Sequence, residues 1–181
     1  MYTLLHTGEI IFYYDHKDLF DDVKHESAFM CKNIVSKDGD PLSERFAITD
    51  DEEAIFGLTL REVLPVIYET VRPLTHGIES AINDGMTGAN LKLIDGLSTL
   101  SGINDSDKYV VIRLQNNGAY NPNMLKIVDA SIQTAIEQGA LSEFYARVVH
   151  KDLTEMSAAF FSAQVTSLTR RLVELRKKTV L

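Results

Sequence analysis

Residues 121–178 read NPNMLKIVDASIQTAIEQGALSEFYARVVHKDLTEMSAAFFSAQVTSLTRRLVELRKK, and this stretch decides the fold. Asn121 is a good N-cap, and Pro122 follows at the first helical position, where its missing N–H costs nothing. Leu125, Val128, Ile132, Ala135 and Ile136 then recur at helical spacing, and Leu141, Phe144 and Val148 continue the stripe. His150 and Lys151 place cationic or polar groups at the negative end of that helix. Asp152 followed by Glu155 has the form of a capping box and opens a second helix. Its apolar face is expected to run Leu153, Met156, Phe160, Ala163, Leu168, Leu172 and Leu175. Two long amphipathic helices joined at a tight corner are therefore expected.

Working outward, Tyr109–Leu114 (YVVIRL) is the clearest strand in the chain, β-branched and alternating, and Asn116-Asn117-Gly118 ends it. Before it, 85–107 is rich in Gly, Ser, Asn and Asp and reads as a long connection holding one short helix. Thr49–Glu52 (TDDE) is a capping-box pattern. The helix it opens carries Ile55, Leu58, Val63, Leu64, Ile67, Val71, Leu74, Ile78 and Ile82 near one face, with Gly85 at its end. Pro65 and Pro73 are expected to kink or split it, because each removes a backbone hydrogen bond and crowds the preceding turn. Residues 24–49 lack helical periodicity, and Lys37-Asp38-Gly39-Asp40-Pro41 is a turn signal, so they read as an extended arm or loop. The aromatic run Ile10-Ile11-Phe12-Tyr13-Tyr14 suits a helix or a buried strand, with helix preferred. The sum is a single domain over 1–181: a mainly α bundle of four to five helices with a small β element and an arm.

Composition sets limits. The 181 residues suffice for one core, and 45% hydrophobic with 24% charged content is ordinary for a globular chain. A formal charge of −8 argues against free nucleic acid as the main partner. Residues 164–181 hold Arg170, Arg171, Arg176, Lys177 and Lys178 against Glu174 alone, so the remainder of the chain carries −12. This is either a solvated helix end that complements the dipole or a basic tail that docks on an acidic surface. Cys31 is the single cysteine, which leaves no intrachain disulfide and suits a reducing compartment. The opening residues have no leader pattern, and no apolar run reaches membrane-spanning length, so an intracellular origin without membrane contact is expected.

No residue set announces chemistry. His16, Asp21, Asp22, His25 and Glu26 lie close together, but without HExxH or another fixed zinc pattern they read as structural or solvated. Asn104-Asp105-Ser106-Asp107 lacks the spacing of a calcium loop. Gly85–Gly88 lacks the Lys-Ser/Thr pair of a phosphate loop. Cys31 near His25 is a weak nucleophile pattern. The expectation is no catalytic, cofactor-binding or metal residue, and no cofactor.

Laid end to end, EIIFYY (9–14), HES (25–27), KDGDPLSERFAITDDEE (37–53), YVVIRL (109–114), NPNML (121–125) and RRLVELRKK (170–178) form a familiar order. It resembles small structural proteins of phages and prophages of gut bacteria, placed at the head–tail junction or in the tail. The likeness is one of pattern along most of the chain. The aromatic patch late in the first C-terminal helix holds Phe144 and Tyr145 without a tryptophan, and 85–108 has no counterpart. The resemblance implies a non-catalytic connector or adaptor that assembles with copies of itself, as in a ring, and meets other virion proteins such as portal or tail components. Its place would be the virion, and the bacterial cytoplasm before assembly. Val35–Arg45 and Thr169–Leu181 are the expected contact segments. Two other readings stand beside it: a small intracellular helical binding or regulatory module, and a metal-dependent hydrolase using His16 and His25.

Overall fold

The computed structural model describes residues 1–4, 9–32, 39, 46–74, 82–94, 97, 100–114, 121–148 and 151–176. They form β1 (Tyr2–Leu4), β2 (Ile10–Asp15), α1 (His16–Cys31), α2 (Glu53–Val71), β3 (Ile82–Thr87), α3 (Gly88–Lys92), β4 (Lys108–Leu114), α4 (Pro122–Val148) and α5 (Lys151–Arg176). The fold is mainly α, a helical bundle with a small antiparallel sheet of order β1-β2-β4-β3.

The aromatic run is a strand, not the helix preferred from sequence. β2 lies between β1 and β4, and both of its faces are covered. Ile10, Phe12 and Tyr14 meet the helical core, while Ile11 and Tyr13 meet a second cluster with Leu91, Leu97, Ile103, Tyr109 and Val111. A strand buried on both sides shows no alternation, and that is what made the run ambiguous. The register pairs Phe12 with Ile112 and Tyr14 with Val110, so the two central strands present matched apolar faces. Tyr14 Oη donates at 3.0 Å to the Asp129 backbone oxygen, which pins the sheet to α4.

Asp15 ends β2 and caps α1, its Oδ1 accepting from the Lys17 and Asp18 amides at 2.7 and 3.3 Å. α1 runs to Cys31, so Lys24–Cys31 is helix where an extended arm was expected. Its core side includes Ser27, whose hydroxyl donates to the Lys24 carbonyl and accepts from the Ile48 amide at 2.8 Å. A buried serine at that point hides the helical period from a reading based on apolar residues. Of the rest of the expected arm, 33–38 and 40–45 lie outside the described residues.

The TDDE cap forms as expected: the Thr49 amide donates to Glu52 Oε2 at 2.6 Å. α2 passes through Pro65 without a break and stops at Val71, and Pro73 falls in a short 3-10 turn beyond it. Pro65 is exposed, so its ring faces solvent instead of disturbing the packed side. Ile82 and Gly85 belong not to that helix but to β3. There Gly85 (φ 76°) lies within an irregularity of pairing between Asn83 and Met86, a conformation that favours glycine. The short helix expected in the glycine-rich stretch is α3.

α4 is the centre of the molecule. Leu125, Val128, Ile132, Ala135, Ile136, Leu141, Phe144 and Tyr145 are all buried. At Gly139 side chains of both α2 and α5 press close against it. A Cβ at that position would stand 2.5 Å from Val63 Cγ1 and 2.9 Å from Phe161 Cε2. α5 begins at Lys151, which puts Asp152 in its first turn and not at the cap. Its packed stripe also differs from the expected one. Leu153, Ser157, Leu168, Leu172 and Leu175 face inward, with Phe161 half-buried between them, whereas Met156, Phe160 and Ala163 are exposed. Ser157 serves the core by donating to the Leu153 carbonyl at 2.7 Å.

Candidate functional site

Three places deserve a chemical reading, beginning with the histidines. His16 opens α1, its Nε2 2.6 Å from Asp84 Oδ1 and its ring edge-on to Phe56. It lines a cleft of about 1050 Å³ together with Tyr13, Asp15, Asp18, Asp107 and Tyr109. These groups are largely committed to holding the walls. Asp15 caps α1, Tyr109 Oη accepts from the Asn104 amide, and Asp107 accepts from the Asn104 side chain. His25 is exposed nine residues further along the same helix. At 100° per residue that is the opposite side of α1, about 13 Å away along the axis, so the two histidines do not converge. Asp21 instead pairs with Lys24 at 2.8 Å, which lowers its carboxyl below the usual range. Among the described residues no three His, Cys, Asp or Glu side chains gather as metal ligands.

The second place escaped the sequence reading. Gln133 Nε2 donates to Asp22 Oδ2 at 3.1 Å and to Glu137 Oε1 at 2.8 Å, closing the seam between α1 and α4. Burial, and then the nearby Asp22 and Glu26, push the Glu137 carboxyl up to about 7 against the hydrogen bond from Gln133. A carboxyl titrating near neutrality suits acid–base work. Among the described residues, the groups that act on it are the Gln133 amide and the carboxylates of Asp22 and Glu26. In the sequence Glu137 is one acid on a helix, and only its burial sets it apart. Cys31 is buried, with Sγ 3.3 Å from Tyr145 Oη, and burial raises its thiol, which opposes thiolate chemistry.

The third place is the outer face of α5. From Met156 to Thr169 the helix has no charged side chain, yet Met156, Ala158, Ala159, Phe160, Ser162, Ala163, Thr166 and Thr169 are all exposed. Phe160 keeps 48% of its surface in solvent and Val173 54%. Solvated helix faces normally carry charge, and loss of charge with gain of Phe and Met marks the centre of protein contacts. Glu155 and Arg170 bound this window, both exposed. Arg171, the next cation, turns inward and donates to Ser131 Oγ of α4. Of the two contact segments expected from sequence, Thr169–Arg176 is the end of this helix, and Val35–Arg45 lies outside the described residues apart from Gly39.

Compared with models of protein families, with curated proteins and with solved structures, the chain finds no match.

Proposed function

We propose that this chain is a non-catalytic structural assembly protein that works through contacts with copies of itself, as a phage or prophage head–tail connector or tail-associated component. The observation that carries the assembly reading is the bare, uncharged outer face of α5. An exposed apolar surface is a liability unless something covers it, and monomeric proteins keep such patches small. The virion assignment rests on the order of sequence features described at the outset. An acidic body suits a component beside packaged DNA, because it would not hold the phosphate backbone.

Mass spectrometry of phage particles, purified after inducing the source organism's prophages, tests the reading. The expected result is the protein in intact particles, at a ratio to capsid protein that stays constant between preparations. Its absence from well-covered particles, with abundant protein in the host cytosol, would replace the virion reading with the cellular binding module.

A further inference from the structure

The charges at the two ends of the bare face specify what covers it. The uncharged window 156–169 has its midpoint between Ser162 and Ala163, with an acid immediately before it and a cation immediately after it. A second α5 laid alongside in the same direction would set Glu155 against Glu155 and Arg170 against Arg170. Reversing that helix about the midpoint sets Glu155 against Arg170 at both ends. Asp152 adds to the acidic end on the same side of the helix. Lys151 is the opposing charge there, held 3.8 Å from Glu155 in an exposed pair of little strength.

We propose that two copies pair through the outer faces of α5, antiparallel, about a twofold axis near Ser162 and Ala163. This rests on the self-assembly reading and adds to it the surface, the direction and the partner. Asp152, Ala159, Thr166 and Val173 share one exposed side of the helix with Glu155, Ser162 and Thr169, so small uncharged residues lie in line between the two charged ends. Ala159, Ser162, Ala163 and Thr166 are small and let the axes approach toward the lower end of the roughly 8–10 Å packing range. Met156 and Phe160 lie along one flank, where they exclude water from the seam. Such a contact is isologous, so each residue change is felt twice.

Size sets the strength. A helix of 26 residues offers a face of about 39 Å by 10 Å, roughly 400 Å² per copy, about half of what a standard stable interface covers. The pairing is therefore concentration-dependent when it stands alone.

Sedimentation of the full chain across a range of concentrations tests this. The native chain should pass from monomer to dimer or larger species as concentration rises. Glu155→Arg or Arg170→Glu alone should weaken that association about tenfold or more through doubled like-charge contacts, and the two together should restore it. Direction is tested separately by mild oxidation. Ala163→Cys should link to its own copy, because the axis passes beside it. Asp152→Cys should not, because the two sites lie about 30 Å apart in the antiparallel pair. Efficient linking at both positions would overturn the antiparallel geometry. An association untouched by either charge reversal would remove α5 as the contact while leaving self-assembly in place. A native chain that stays monomeric throughout would sink both readings.

Discussion

α4 and α5 are neighbours of nearly equal length, 27 and 26 residues, and they pack along each other, yet their surroundings differ throughout. α4 touches the sheet, α1, α2 and α5, and much of its circumference is closed. α5 leans on α4 and, more lightly, on α2, and its far side is open to solvent. The helix buried on several sides tolerates a carboxyl such as Glu137 only with help. The open one carries no charge for four turns. The lesson is that absence of charge does not track burial in this pair, and the mismatch on α5 is the feature that asks for a function.

The largest expected effect comes from cutting into the closed helix. Ile132→Ala should cost about 2–5 kcal/mol in urea unfolding, through lost burial and the cavity left behind. In dilute, dissociated protein Phe160→Ala should stay within about 0.5 kcal/mol of the native value. Equal losses at the two positions would erase the contrast between the helices.

Next in size is the close approach at Gly139. Gly139→Ala gains helix propensity but drives a methyl into Val63, and overpacking of this kind costs about 1–3 kcal/mol. Combining it with Val63→Ala should cost less than the sum of the two single changes, because the methyl then meets only Phe161 at close range. Simple additivity of the two changes would mean that α2 gives way elsewhere.

Glu137→Gln sharpens the comparison by pH. The folded carboxyl titrates near 7 and the unfolded one near 4.5, so between these values the folded chain holds an extra proton. Stability due to this group is therefore fully present below pH 4.5 and is lost as pH rises through 7. The glutamine variant lacks that slope. It should match the native protein near pH 4 and exceed it by about 1–2 kcal/mol at pH 8, after allowance for partial screening. A constant difference across that range would place the cause outside Glu137.

Much of this architecture is legible in the chain. The C-terminal helix pair, the TDDE cap and the strand at 109–114 each carry a local signal that tertiary packing leaves intact. What stayed hidden has specific causes. β2 is buried on both faces and so has no period of two. β3 (INDGMT) is polar and is held by its neighbour β4 instead of by its own side chains. α1 places Ser27 in the core, which hides its helical period, and α5 does the same with Ser157, where the apolar residues alone trace the wrong face. The outer face of α5 was visible as residues but not as a surface, because only the structure separates Phe160 from Phe161.

The enclosed cysteine has a practical consequence. With Cys31 sealed beside Tyr145, a maleimide dye added to the folded native chain should find nothing to react with, and should label one site once denaturant opens the core. A cysteine placed anywhere on the surface would then be the only reactive handle. Fluorophores or spin labels could report distances between copies without removing the native thiol.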